Sequence, residues 1–544
     1  MRILGINAVF HDPAAALVVD GRTVAAAEEE RFSRRKHGKT PVPFAAWEQP
    51  EQAAAWCLRQ AGVEPSELDV VGCSYDPALV DEALDGLDPG WEWLRTTYAE
   101  RAPHFLATAL PGLDTDVVVC VPHHVAHAAS AALAAPFGDC AVLTADGRGE
   151  STSGLAGSYS GGRLTTLAEQ RLPHSLGLMY EELTEHLGFR RSSDEYKVMA
   201  LASYAEPAFL ADFRELIRTG DGHYTIDPID WQRWAPRRTG REPLGDKHAQ
   251  LASSVQERLE EVLLDLARWL HDQTGERRLA MAGGVALNCV ANTRIACEGP
   301  FDEVWVQPAA GDAGTALGAA LQLAAQHGEP IAPMPGADLG REWSDQEVEA
   351  VLRTANLRYE RPHDVAEVAA EALSRDASVG WFQGRSEFGP RALGHRSLLA
   401  HPGNADNVER LNDIKGREQF RPVAPVVLAE RARELFTRGP ERSPHMLFVH
   451  DVTPEWRDRI PAAVHVDGTA RPQTVERDRE PLLARLLEAF AARTGLPALI
   501  NTSFNTAGRP IVDSPVDALE CFGASPIDLL VLGPFVVRRG GERA

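Results

Sequence analysis

Apolar positions in this chain fall into short strand-like runs that alternate with helical stretches. ILGIN (3–7), AAALVVDG (14–21) and TVAAAEEERF (23–32) read as three strands with an Asp20-Gly21 turn between the last two. CAVLTADGRGE (140–150), SGLAGSYSGG (153–162) and RLTTLAEQ (163–170) repeat that theme, with an Asp-bearing loop and a hairpin closed by Gly161-Gly162. A duplicated meander followed by helices predicts two similar lobes facing each other across a cleft. DVVVCVP (116–122) reads as a buried strand stopped by Pro122, and the small residues from Ala126 to Ala135 read as a helix. Leu251, Val255, Leu259, Val262, Leu263, Leu266 and Leu270 keep helical spacing and predict a core-facing helix. RLAMAGGVALN (278–288) and EVWVQPAAGDAGTALGAAL (303–321) each read strand, Gly-rich loop, helix.

Between Gly328 and Gly340 the segment GEPIAPMPGADLG carries three prolines and no periodicity, which marks a linker. A helix (SDQEVEAVLRTA), a strand (SVGWFQG) and a region rich in Arg, Gly and Pro follow. The boundary is expected near Arg341, dividing the α/β chain into domains 1–340 and 341–544. At 544 residues the chain is too long for one core. With 55 basic against 78 acidic residues the net charge is −23, which disfavours nucleic acid as a partner. No stretch suits a signal peptide or a membrane span. The seven cysteines are scattered and without a CxxC pair, so they read as reduced thiols and the cytoplasm is the expected compartment.

His123 and His127 stand one helical turn apart in HHVAH, so both imidazoles can reach one ion. Two imidazoles alone hold a metal poorly, and Asp146 and Asp312, each read as ending a strand at a Gly-rich loop, are candidates to complete the shell. DGRGE with Gly147, AGGVALN with Gly283 and Gly284, and AAGDAGT offer backbone N–H groups to phosphate and predict a nucleotide cleft. Asn288 is a candidate for a ribose or base contact, or a helix cap. His11, just past the first strand, is a candidate proton acceptor. Lys36 lies in a mixed charge run, and Lys197, set among apolar residues, is expected to have an anionic partner. Farther on, Arg391, Arg396, Lys415, Arg417, Arg421 and Arg471, with Asn501 and Ser503, read as an anion pocket.

FHDPAAALVVDG, RFSRRKHG, HHVAHAASA, DGRGE, EYKVMALASY, AGGVALNC, QPAAGDAGTALGAA, GRSEFGPRALGHRS, KGREQFRPVAP, DGTARPQTV and NTSFN follow one another from residue 10 to about 505. In this order they resemble the O-carbamoyltransferases of antibiotic and nodulation-factor biosynthesis. The resemblance implies an N-terminal actin-like ATPase domain with duplicated lobes, akin to the universal tRNA threonylcarbamoyladenosine transferase. It implies a C-terminal domain akin to threonylcarbamoyl-adenylate synthase, a YrdC-like fold. In the family, carbamoyl phosphate and ATP give carbamoyl adenylate, whose carbamoyl group passes to a substrate hydroxyl.

By motif, His123, His127, Asp146 and Asp312 would bind the metal, expected to be Fe2+ with Zn2+ or Mn2+ as alternatives, and His11 would be the base. Lys415, Arg471 and Ser503 would act in activation. Arg421, Arg391 and Asn501 would bind beside them, and Lys36, Gly147, Lys197, Gly283, Gly284 and Asn288 would contact nucleotide or intermediate. Expected partners are carbamoyl phosphate, ATP with Mg2+ and a hydroxylated small-molecule acceptor, without nucleic acid or membrane, and with a homodimer as the candidate assembly. A tRNA-directed threonylcarbamoyl transferase would need a basic face, which −23 disfavours. A hydrogenase-maturation carbamoyltransferase would need Cys-rich zinc modules that these cysteines cannot build. An actin-like ATPase without transferase activity would not use the histidine pair.

Overall fold

Runs of Ala, Gly and Val give the first 336 residues their close layers. The structure, a computed structural model, describes residues 1–38, 49–81, 89–239 and 242–539. Strands β1 (Arg2–Asn7), β2 (Ala14–Val19) and β3 (Arg22–Glu28) form an antiparallel meander. On the other side of β1, β4 (Val70–Cys73) and β5 (Val118–Cys120) add in parallel, for the order β3-β2-β1-β4-β5. A second meander, β6 (Cys140–Ala145), β7 (Thr152–Ser160) and β8 (Arg163–Arg171), follows. After a separate hairpin of β9 (Ile217–Gly220) and β10 (His223–Ile226), β11 (Arg278–Ala282) and β12 (Glu303–Val306) join β6 in parallel. The order β12-β11-β6-β7-β8 repeats the first sheet in connectivity and direction. This duplicated sheet is the actin-like ATPase architecture, with one lobe on each sheet.

Two helices hold the lobes together. The histidine helix, His123–Ala132, and the return helix, Ala313–Gln326, are rich in small residues. A Cβ added at Gly318 of the return helix would lie 1.8 Å from the Ala126 carbonyl oxygen of the histidine helix. One added at Gly5 of β1 would lie 1.8 Å from the Ala316 carbonyl oxygen. Backbone therefore packs on backbone in both directions. The Leu251–Leu270 pattern falls on the helix Asp246–Thr274, whose apolar face is buried as its spacing predicts.

Two expectations need correction. The run before Pro122 is not a buried strand: β5 is the edge of its sheet, with Val119 38% exposed and Cys120 exposed, because its outer neighbour is solvent. Asp312 does not end a strand. It follows a turn six residues beyond β12 and stands at the start of the return helix.

The chain divides into compact units at Met1–Gly336 and Ala337–Ala544. The second unit is built on a seven-stranded mixed sheet of β13 (Val379–Phe382), β14 (Arg396–Ala400), β15 (Ala424–Leu428), β18 (Gln473–Val475), β19 (Ala498–Ser503), β20 (Leu529–Leu532) and β21 (Phe535–Arg538). Its order is β18-β15-β19-β14-β13-β20-β21, while β16 (His450–Asp451) and β17 (Thr469–Ala470) pair apart from it. Alternate residues of β13 face opposite cores. Trp381 packs with the helices Val365–Ser374 and Pro481–Thr494, and Phe382 with those of Asn407–Lys415 and Pro515–Ala524. Among the described residues no helix is long and apolar enough to cross a membrane.

The helix contact can be tested directly. Gly318→Ala should cost about 1–3 kcal/mol or more through overpacking. Gly138→Ala, where an added Cβ meets nothing within 4 Å, should stay within about 0.5 kcal/mol of wild type. Urea titrations of both variants check the difference.

Candidate functional site

The histidine helix starts just after Pro122, a residue whose fixed φ suits a helix start, and its first two turns carry the pair. Glu150 completes that start: one carboxylate oxygen accepts the His123 N–H at 2.9 Å and the Asp76 N–H at 2.8 Å. The His123 Nδ1–H donates to the Ser74 carbonyl at 3.1 Å, which leaves the lone pair on Nε2. Asp146 follows β6, and its Oδ1 accepts the Gly284 N–H at 2.7 Å, so Oδ2 turns toward the histidines. The Asp312 carbonyl accepts from Thr315 Oγ1 at 2.6 Å, and that hydroxyl also lies 2.7 Å from Ser74 Oγ.

These elements converge on one buried point. His123 Nε2 lies 3.5 Å from Asp146 Oδ2 and 3.7 Å from Asp312 Oδ1, and His127 Nε2 lies 3.7 and 3.6 Å from the same atoms. Those separations exceed a good N–H···O hydrogen bond. They match a tetrahedral shell instead, in which four donors about 2.1 Å from a cation stand about 3.4 Å apart. Both histidines are fully buried, and among the described residues neither Nε2 has a hydrogen-bond partner. The donor set and its orphaned nitrogens therefore fit a divalent cation.

The electrostatics point the same way. Burial alone would strip the charge from His123, but the facing Asp146 and Asp312 carboxylates outweigh it and carry its pKa well above the usual imidazole value. Burial would raise Asp146, yet the two imidazoles hold it well below the ordinary carboxylate range. His124, one residue along, faces away onto Thr152 Oγ1 at 2.8 Å, and burial with His123 nearby pushes it down to about 3. Position in the helix, not residue type, separates His124 from its neighbours.

Not every candidate side chain reaches this point. Asn288 caps the helix Cys289–Glu298: its Oδ1 accepts the Ala291 N–H at 3.1 Å and its Nδ2 donates to Gln256 at 2.8 Å. The Gly284 N–H is likewise spent on Asp146 rather than presented to a phosphate. Gly283 is needed for close approach, since φ is +96° and a Cβ would lie 2.1 Å from the Ala145 carbonyl oxygen. The Gly147 carbonyl accepts from Ser175 Oγ at 2.6 Å. Lys197 has the anionic partner expected of it, Asp194 at 3.0 Å, and lies over the Phe189 ring. Lys36 sits half-buried in a short turn beside His37. His11 Nδ1 lies 2.8 Å from Asp12 Oδ2.

In the second unit, Lys415 and Ser503 come together. Lys415 Nζ, almost fully buried at the end of its helix, donates to Ser503 Oγ at 2.9 Å, to the Ser503 carbonyl and to Asn505 Oδ1 at 2.6 Å. Asn505, inside the NTSFN motif, belongs to this cluster and has no chemical signature that separates it from a turn asparagine. Asn501 on β19 donates to Gln473 Oε1 at 2.8 Å and to the Ala392 carbonyl at 3.2 Å. Glu387 shapes the loop that carries Arg391, its Oε1 accepting the N–H groups of Leu393, His395 and Arg396 at 2.7, 3.0 and 3.1 Å. Arg421 reaches Glu418 at 3.5 Å, and Arg471, half-buried past β17, lies near His465, which burial and that arginine push down to about 4. One arginine expected in the anion pocket is structural. Arg396, with no exposure, donates to the carbonyls of Gln383, Gly384 and Arg341 against the Phe382 ring, and Arg417 donates to Asn412 at 2.6 Å.

The carbamoyltransferase N-terminus family model matches residues 2–115 and 107–321, and the carbamoyltransferase C-terminus model matches residues 370–539. The nodulation protein NolNO of Sinorhizobium fredii is 39% identical over 98% of this chain and 80% of its own. An uncharacterised protein of Synechocystis is 37% identical over 99% and 97%, and the nodulation protein U of Rhizobium tropici 32% over 96% and 93%. With both family halves matched in order and relatives similar along nearly its whole length, this chain belongs to the carbamoyltransferase family.

Proposed function

We propose that the protein is an ATP-dependent O-carbamoyltransferase that modifies a hydroxyl of a small-molecule natural product. The observation that carries this reading is the buried His123, His127, Asp146 and Asp312 cluster in a chain of the carbamoyltransferase family. Carbamoyl phosphate, ATP and water would give carbamoyl adenylate, pyrophosphate and phosphate in the second unit. Its mixed sheet supports a YrdC-like assignment, and Lys415, Arg421 and Arg471 supply cations for the phosphates there, with Ser503 beside Lys415. Transfer belongs to the first unit, where His123, His127, Asp146 and Asp312 would hold the cation. A bound divalent cation supplies Lewis-acid polarisation of the carbonyl under attack, and Fe2+, Zn2+ and Mn2+ all suit this donor set. His11 would take the proton of the acceptor hydroxyl, and AMP leaves as the carbamate ester forms.

Two measurements test the reading. Loss of a second-shell partner alone typically costs 10–100-fold, so His127→Ala should strip the ion and lower transfer at least about 100-fold while keeping the fold. Elemental analysis showing full metal content in the purified variant would refute the ligand assignment. Lys415→Ala and Arg471→Ala should stop carbamoyl-phosphate-dependent ATP–pyrophosphate exchange, whereas His11→Asn should leave exchange running and stop only acceptor carbamoylation. Mass spectrometry of assays with aminoglycosides, macrolides, ansamycins and nodulation oligosaccharides, read for one added carbamoyl group, identifies the acceptor class.

A further inference from the structure

A second cluster of histidine and carboxylate lies outside the metal-ligand set, at the turn after β1. Asp12 Oδ2 lies 2.8 Å from His11 Nδ1, and Asp12 Oδ1 lies 2.9 Å from His37 Nδ1. His37 Nε2 in turn lies 3.0 Å from Ser193 Oγ, which belongs to the loop before the helix Glu195–Ala202 in the other lobe. The two imidazole rings stand 4.5 Å apart. Three ligand-type side chains within reach of one point could signal a cation, but the separations decide otherwise. Each Nδ1 lies on a different oxygen of Asp12, at 2.8 and 2.9 Å, the lengths of charge-assisted hydrogen bonds.

A carboxylate has no hydrogen to give, so both Nδ1 atoms must be donors. That fixes both tautomers: Nε2 is the basic nitrogen of His11, and Nε2 of His37 accepts from Ser193. Asp12 itself is held well below the ordinary carboxylate range, because the two imidazoles outweigh the effect of its burial. The backbone here is held under strain. Phe10, Asp12, His37 and Ser192 all have left-handed φ, at 58°, 46°, 62° and 55°, a conformation that costs a side-chain-bearing residue and concentrates at functional sites. Asn7 braces the turn, its Nδ2 donating to the carbonyls of His11 at 2.7 Å and Asp12 at 3.0 Å.

We propose that Asp12 is a positioning residue for carbamoyl transfer, holding His11 as the Nδ1–H tautomer while its second oxygen is pinned by His37, which is fastened to the opposite lobe at Ser193. The proposal rests on His11 being the base of the reaction proposed above. As the acceptor oxygen bonds the carbamoyl carbon and the anhydride bond to AMP breaks, the hydroxyl proton passes to His11 Nε2, and Asp12 stabilises the imidazolium. The link to Ser193 makes the alignment depend on the two lobes being together, so the base is in place only when the cleft is formed.

The full-length protein tests this in two ways. In 15N-histidine-labelled protein, with signals assigned through His11→Asn and His37→Asn, both neutral rings should carry the proton on Nδ1. An Nε2–H tautomer at either would overturn the proposal, and this measurement needs no acceptor. With the panel compound that wild type carbamoylates, Asp12→Asn should lower kcat at least about 100-fold with acceptor KM, metal content and ATP–pyrophosphate exchange unchanged. His37→Asn, a residue that tolerates left-handed φ, should lower kcat in the same direction, and the acid limb of kcat/KM is recorded in both variants. Glu195 also faces His11 and titrates near neutral pH, since burial pushes its carboxyl up to about 7, so the pH profile is measured again in Glu195→Gln. A kcat within threefold of wild type in Asp12→Asn, or loss of exchange and metal along with transfer, would remove the positioning role. Absence of any carbamoylated product with wild type would instead sink the functional reading, while the tautomer measurement would still decide the relay.

Discussion

Two carboxylates and two imidazoles buried at one point are the constraint on which the rest of the first unit depends. Asp146 and Asp312 face His123 and His127 across 3.5–3.7 Å with almost no contact with water. Burying charge without a partner is expensive, and an unpaired buried polar atom alone costs about 1–3 kcal/mol. The arrangement persists only if a positive charge occupies the centre, as protons on the imidazoles or as a cation. It also requires three chain segments to meet within a few ångströms. Small residues permit this, since Gly318 and Gly5 bring backbone against backbone on either side of the return helix. The alanine-rich sequences that look least informative are thus what hold the charged ones together.

Duplication explains why the same turn appears twice with different chemistry. In each lobe a six-residue loop joins the first two strands of the meander, residues 8–13 in one and 146–151 in the other. The first loop presents His11 and Asp12, and the second presents Asp146, Gly147 and Glu150. Because the two sheets share order and direction, equivalent loops lie at equivalent ends of their strands. The fold supplies two matched platforms. One carries hydrogen-bonded imidazoles at 2.8–2.9 Å from a carboxylate, the other a cation-spaced set at 3.5–3.7 Å. That difference of under 1 Å sets hydrogen-bonded pairs apart from a cation-spaced set.

Much of this was legible in the sequence, for identifiable reasons. Strand alternation, the Gly161-Gly162 hairpin and the Leu251–Leu270 helix follow from local periodicity, which survives folding unchanged. The HxxxH pair was legible because helix geometry is local. What could not be read were partners set by tertiary approach. Nothing in the sequence tells that Glu150 would take the N–H groups of Asp76 and His123, or that His37 would meet Asp12 and, across 156 positions, Ser193. The exposed edge at β5 escaped for the same reason. An apolar run states what a strand can bury, not whether the sheet continues beyond it.

Charge counted along a chain is a poor guide to charge offered to a ligand, and the second unit makes the point. Arg396 lies in an arginine- and glycine-rich motif and would pass for a phosphate contact. Its guanidinium is instead surrounded by four backbone carbonyls and an aromatic face, all of which it needs because it has no exposure. Lys415 is almost equally buried, yet its partners are different in kind: a serine hydroxyl, an asparagine amide oxygen and carbonyls at the end of one strand. Exchanging one of the side-chain oxygens around Lys415 for an anion would leave the backbone in place, whereas releasing the carbonyls around Arg396 would unmake backbone contacts on several segments. The distinction lies in what must be broken for a ligand to bind. On that ground Lys415 with Ser503 is better placed than Arg396 to meet an anion.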